Sequence, residues 1–134
     1  MTCGEPRHLF VYGTLMRGSR SRYARLLKAR AQFAGEAWAA GRLYNLGRFP
    51  GAIFDEGCPE KVYGEVFRLN GGAVLDVLDA YEGCRPSDPK PQLFRREIAG
   101  VRLASGETLA AWAYPLAGAI AGRPLIPSGR FTPR

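Results

Sequence analysis

Gln32-Phe33-Ala34-Gly35-Glu36-Ala37-Trp38-Ala39-Ala40-Gly41-Arg42-Leu43-Tyr44-Asn45-Leu46 reads as one long strand with two glycines inside it. A glycine in a strand interior removes a packing side chain and marks a bulge or a bend. Gly35 and Gly41 are therefore the positions where this strand is expected to turn. A strand that bends twice suits a sheet curling on itself better than a flat one.

The flanking segments agree. Leu9-Phe10-Val11-Tyr12 is a short apolar run that breaks at Gly13-Thr14-Leu15-Met16-Arg17-Gly18 and enters a helix capped by Ser19 or Ser21. Gly47-Arg48-Phe49-Pro50-Gly51 is turn chemistry before a short strand, Ala52-Ile53-Phe54. Val62 to Leu69 alternates as a strand and stops at Asn70-Gly71. Residues 72–82 form a second helix, closed by Gly83. The proline-rich stretch 83–92 is an irregular loop. Leu93 to Leu103 resumes as strand, and Ser105-Gly106-Glu107 turns it into Thr108 to Tyr114, which Pro115 stops. The tail from Leu116 is irregular and only partly ordered by this reading. Short strands and two helices near 19–30 and 72–82 predict an α+β fold, a closed or nearly closed barrel with helices beside it. A barrel of this size can hold one small ligand.

The chain of 134 residues reads as one domain, 1–134, with its core in about 8–115. No run of apolar residues is long enough to span a membrane, and the start lacks the apolar stretch of a signal peptide. A cytoplasmic location is expected. The three cysteines, Cys3, Cys58 and Cys84, have no metal-ligand spacing, and His8 is the only histidine. No metal site is expected, and no Ser-His-Asp or Cys-His arrangement has a supporting context. The net charge of +7 permits nucleic-acid binding without establishing it. The densest basic group, Arg17, Arg20, Arg22, Arg25, Lys28 and Arg30, reads as the solvated face of the first helix, so no nucleic acid is expected.

Glu82 is the candidate for chemistry. At 100° per residue it lies about 20° round the second helix from Leu75, on the apolar face. No Lys or Arg stands one turn earlier to pair with it. Pointing inward at a helix C-terminus, it has two reasons for a raised pKa, burial and the partial negative charge of the helix end. The alternative is that it reaches solvent from a frayed end. Asp79 is the rival carboxylate, unless it bonds backbone or meets an arginine. The loop Tyr12-Gly13-Thr14-Leu15 lies between a buried strand and a helix, where backbone N–H groups can converge on an anion, or where a glycine can simply make a turn. Trp112 and Tyr114 are read as core, with the cavity wall as the alternative. Arg95 and Arg96 point to opposite faces of a strand.

Together the segments resemble one family, the gamma-glutamylcyclotransferase-like proteins of the gamma-glutamylamine cyclotransferase type. The matching residues are Phe10-Val11-Tyr12-Gly13-Thr14-Leu15, Gly41-Arg42-Leu43-Tyr44-Asn45-Leu46-Gly47 with Phe49-Pro50-Gly51-Ala52, and Val62-Tyr63-Gly64-Glu65-Val66-Phe67. Leu78-Asp79-Ala80-Tyr81-Glu82-Gly83, Phe94-Arg95-Arg96 and Ala111-Trp112-Ala113-Tyr114 follow in order. Phe94 departs from the tyrosine often found there, and Ser128-Gly129-Arg130 is only loosely like the usual Ser-Gly-Asp ending. The resemblance implies a small mixed barrel with flanking helices. It implies a cavity where Tyr12, Gly13, Thr14 and Leu15 bind the substrate and Glu82 is the acid/base. The implied reaction releases 5-oxoproline from a small-molecule gamma-glutamyl amide, through attack by the alpha-amino group, and requires no cofactor. The competing reading is a non-catalytic small-ligand or protein-binding module on the same fold. It expects the cavity to be filled by side chains, or Glu82 to be neutralised by an arginine.

Overall fold

The structure, a computed structural model, describes residues 6–90, 92–117 and 122–131. In chain order the elements are β1 (His8–Val11), α1 (Arg22–Arg30), β2 (Ala31–Asn45), β3 (Pro50–Phe54), β4 (Lys61–Leu69), α2 (Ala73–Glu82), β5 (Glu97–Leu103) and β6 (Thr108–Ala113). The strands follow the order β3-β2-β4-β1-β6-β5, and a further pairing of β2 with β5 closes five of them into a barrel. β3 hangs on the far end of β2. β1 and β6 run parallel and the other pairs antiparallel, so the barrel is mixed, as expected.

β2 makes this closure possible. Its first part pairs with β4, its middle reaches both β4 and β5 at Ala37 and Trp38, and its end pairs with β3. The two glycines bend it where expected. The β2–β4 register shifts between Phe33 and Gly35, so Ala34 is the extra residue of a bulge. At Gly41, φ is +155° and a side chain would collide with the Ile53 carbonyl.

Two apolar clusters follow from strand alternation. Phe10 and Tyr12 point into the barrel with Val62, Val66, Val101 and a set of alanines, among them Ala37, Ala39, Ala52, Ala111 and Ala113. A narrow barrel needs such small residues if its interior is to be filled by side chains. Leu9 and Val11 point outward against Leu27 of α1 and Val74, Leu75 and Leu78 of α2. This is why residues 9–12 read as a continuous apolar run: β1 is buried on both faces.

Helix boundaries follow local chemistry. Ser21, not Ser19, caps α1, its Oγ accepting from the Tyr23 N–H at 3.1 Å, so the helix starts later than residue 19. Arg22, Arg25, Lys28 and Arg30 form its exposed face. Gly83 ends α2 in the left-handed conformation at φ 71°, and the Cys84 N–H returns to the Asp79 carbonyl at 3.0 Å.

Two expectations are corrected. The strand expected from Leu93 begins only at Glu97. Residues 93–95 lie instead along 115–117, with Arg95 N–H donating to Pro115 O at 3.1 Å and Ala117 N–H to Leu93 O at 2.7 Å. The tail is also better anchored than its Gly, Pro and Ala content suggests. Asn45 N–H donates to Pro124 O, Ile126 N–H to Leu43 O and Tyr63 N–H to Gly129 O, which ties residues 124–129 to β2 and β4. Residues 118–121 and 132–134 of the tail lie outside the described residues. Among the described residues, no helix is long and apolar enough to cross a membrane.

Candidate functional site

The barrel interior is packed with buried side chains, and a cavity lies among β1, β3 and α2. Its volume is about 260 Å³, near the small end of the usual range for ligand pockets, roughly 300–1,000 Å³. β1 and the loop after it supply Phe10 to Leu15, the start of β3 supplies Phe49 and Pro50, α2 supplies Tyr81 and Glu82, and Leu93, Phe94 and Tyr114 close the wall. All five residues singled out in the sequence, Tyr12, Gly13, Thr14, Leu15 and Glu82, meet there.

Glu82 lies on the last turn of α2, partly buried and turned to the cavity. Burial pushes its carboxyl up to about 7. Among the described residues no side chain forms an ion pair or hydrogen bond with it. Asp79, the rival, is not part of the lining. Its Oδ1 accepts from Arg96 Nε at 2.9 Å and from Tyr114 OH at 2.7 Å. Arg96 also stacks on Trp112, its Cζ 4.3 Å from the ring centroid, and its ion pair is with Asp79 rather than Glu82.

The loop facing Glu82 has two functions in its short length. Tyr12 OH donates to Tyr114 O at 2.7 Å and accepts from Ala52 N–H at 3.1 Å, so the hydroxyl joins β1, β3 and the end of β6. Burial raises its pKa well beyond the usual phenol range, which keeps it protonated for that role. Tyr12 thus offers the cavity its ring and backbone. The N–H groups of Gly13, Thr14 and Leu15 have no acceptor among the described residues, although the Gly13 carbonyl accepts from Met16 N–H at 3.1 Å. Gly13 is required sterically, since a Cβ there would stand 2.9 Å from Pro50 Cγ. The loop is therefore a row of unspent donors pressed against a rigid ring.

Three lining residues carry more than their sequence pattern showed. Tyr81 OH shares a hydrogen bond with Thr14 Oγ at 2.8 Å, and its ring packs on Tyr23 of α1 at 4.2 Å between centroids. Adjacency to Glu82 on a helix was the available signal. Tyr114, read as core, is indeed buried but also faces the cavity. Phe49, read as turn, packs on Phe94 at 5.8 Å.

A family profile described as gamma-glutamyl cyclotransferase, AIG2-like, matches residues 9–133. The chain belongs to this AIG2-like gamma-glutamyl cyclotransferase family. Among solved structures, an AIG2-like protein of Mus musculus is 25% identical, with a TM-score of 0.71 over 96% of each chain. The ytfP protein of Escherichia coli is 28% identical, with a TM-score of 0.62 over 92% of this chain and 95% of its own. YkqA of Bacillus subtilis shares the fold at 24% identity and a TM-score of 0.69; 93% of this chain matches 39% of YkqA, so the chain spans well under half of that protein. No curated protein matches the sequence.

The raised carboxyl has a consequence for folding that can be measured. The folded value, about 7, lies above the ordinary 4.5. Below pH 4.5 the group is protonated in both states and contributes no difference. Between about 4.5 and 7 the unfolded chain releases its proton first, so stability falls as pH rises. Above 7 the loss is complete, at no more than about 3.4 kcal/mol. The difference in unfolding free energy between wild type and Glu82→Gln should therefore drift against wild type across that window. Urea titrations of both proteins at pH 4.5 and pH 8 check it, and a pH-independent difference would contradict the burial of Glu82.

Proposed function

We propose that the chain is a cyclotransferase that releases 5-oxoproline from a gamma-glutamyl amide, with Glu82 as general acid/base. The observation that carries this reading is a carboxyl held near neutrality in an open cavity, which shares the lining with three backbone donors; among the described residues the carboxyl has no side-chain partner and the donors no acceptor. The N–H groups of Gly13, Thr14 and Leu15 bind the alpha-carboxylate, and this fixes the alpha-nitrogen near Glu82.

The alpha-amino group reaches the side-chain carbonyl of the same glutamyl unit through a five-membered ring, so holding the substrate folded supplies much of the acceleration. Glu82 takes a proton from the alpha-ammonium, the free amine attacks the carbonyl, and the carboxyl then protonates the departing nitrogen, while the ring nitrogen gives its second proton to the released amine. A pKa near 7 suits a group that must accept and return a proton at neutral pH. Tyr12 positions the loop through its two hydrogen bonds, and Thr14 and Tyr81 brace each other at the cavity rim.

The binding-module reading expects a filled cavity or a neutralised Glu82. The cavity is open, and among the described residues no arginine forms an ion pair with Glu82; Arg96 is engaged with Asp79 and Arg85 with Asp88. Mass-spectrometric detection of 5-oxoproline from a broad panel of gamma-glutamyl compounds tests the proposal. Release from at least one compound, dependent on Glu82, is expected; a panel left intact would return the binding module to first place.

A further inference from the structure

α2 has ten residues, so its two ends stand about 15 Å apart. A second cavity, of about 540 Å³, lies at the N-terminal end, away from Glu82. Segments distant in sequence meet there: the residues before β1 bring Arg7, the end of β4 brings Arg68, and the turn Asn70-Gly71-Gly72 leads into α2. β1 and β4 are paired with His8 opposite Arg68, so the two arginines stand on neighbouring strand ends. Among the described residues neither guanidinium forms an ion pair. The lining contains no Asp or Glu. Asp76, the acid of α2's first turn, is exposed and outside it.

The start of α2 adds donors. Its N-cap is Gly72, which has no side chain to cap the first turn. The N–H groups of Gly71, Gly72, Ala73 and Val74 have no acceptor among the described residues. Trp112 of β6 forms part of the cavity wall. Its indole Nε1 is withdrawn from solvent and is the one buried side-chain polar atom without a hydrogen-bond partner among the described residues. Buried polar groups are nearly always satisfied, so this donor calls for an acceptor. α1 is the contrast. Its cap, Ser21, already accepts from the Tyr23 N–H, and its cations lie on an exposed face.

We infer that this cavity binds a small phosphomonoester, with the phosphate group between Arg7, Arg68 and the first turn of α2. The charges match: two guanidiniums and the positive end of a helix dipole meet a dianion, and no carboxylate in the lining offsets them. Forked guanidinium donors and converging N–H groups suit an anion with three free oxygens better than a carboxylate with two. The phosphate group fills only part of the cavity. The remainder, bounded by Leu75 and Trp112, takes the organic part of the ester. The site involves no chemical step and is independent of the role of Glu82.

Titration of isotope-labelled protein with glycerol 3-phosphate at constant ionic strength, followed by amide NMR, tests the site. Saturable shifts are expected at the amides of Gly71 to Val74 and at the Trp112 indole N–H, and acetate at the same concentration should produce none. Gly72→Asp is the deciding variant. φ at Gly72 is −91°, ordinary for any residue, and a Cβ there meets nothing within 4 Å, so the side chain fits. Its carboxylate serves the first turn from within, so the melting temperature should hold or rise while affinity for the ester falls by roughly tenfold or more. Arg7→Gln combined with Arg68→Gln should weaken binding by a similar factor, and Arg25→Gln combined with Lys28→Gln on α1 should leave it unchanged. Inorganic phosphate binding as tightly as the ester would overturn the assignment of an ester. Shifts that never saturate, that acetate reproduces or that follow the α1 substitutions would overturn the site, and so would undiminished affinity in folded Gly72→Asp.

Discussion

Glu82→Gln is expected to lower 5-oxoproline release by about 10²–10⁴-fold, the usual contribution of a positioned general acid/base. Gln is nearly isosteric and keeps the polar end of the side chain, but it cannot carry a proton between the two nitrogens. Substrate affinity should change little, because in the proposed mechanism backbone donors hold the alpha-carboxylate. The defect should therefore fall on kcat, and a calorimetric Kd for a gamma-glutamyl amide should stay within a few-fold of wild type. Asp79→Asn is the control. Asp79 is engaged by Arg96 and Tyr114 outside the cavity, so its loss should loosen the wall and cost much less activity. The pH profile gives a second view. With the Glu82 carboxyl at about 7, kcat/KM of wild type should climb as pH rises to that value, since only the ionised form accepts the first proton. Equal rates for wild type and Glu82→Gln would leave the family membership intact and remove Glu82 from the mechanism.

Much of this architecture could be read from single residues. Gly35 and Gly41 announced the bends of β2 because a glycine in a long strand has few other uses. Gly83 fixed the end of α2, and with it the phase that turned Glu82 inward. The misreadings share one cause: the pairing partner was distant in sequence. Residues 93–95 have strand composition, but their partner is the segment after Pro115, whose carbonyl is free to accept because the proline ends the β6 ladder. The tail looks like loop because Pro124, Ile126 and Gly129 pair with β2 and β4 through backbone groups, which leave no side-chain pattern. The site was legible to the same degree. The loop glycine and the helix-end glutamate are local signals. That Asp79 is held by Arg96 and Tyr114, or that Tyr12 OH joins three strands, depends on residues 17 to 102 positions apart.

Gly64 illustrates what alternation conceals, and its substitution should have the largest effect on stability. Within Val62-Tyr63-Gly64-Glu65 it passes as an ordinary strand position, and its backbone needs no left-handed conformation. Yet a Cβ at Gly64 would overlap the Val11 carbonyl oxygen and stand 3.0 Å from two carbons of the Phe10 ring. Neither neighbour can yield easily. Phe10 is 1% exposed in the barrel interior, and β1 is packed on both faces. Gly64→Ala should therefore cost about 3 kcal/mol or more, at the upper end of overpacking penalties. Gly100→Ala is the in-strand control. Its Cβ would meet nothing closer than 3.9 Å, and it should be neutral or stabilising by about 0.5 kcal/mol. Urea unfolding of the two variants separates contact from strand propensity, since both replace a strand glycine by alanine. The damage at Gly64 should also reach the site. Val11 is the last residue of β1, and its carbonyl precedes the Tyr12–Leu15 loop, so a displaced β1 moves the donors relative to Glu82. Folded Gly64→Ala, assayed below its melting temperature, should show a raised KM as well as lowered stability. A variant as stable as Gly100→Ala would mean that β1 and β4 can separate at this point, and the loop would then not be rigidly placed against Glu82.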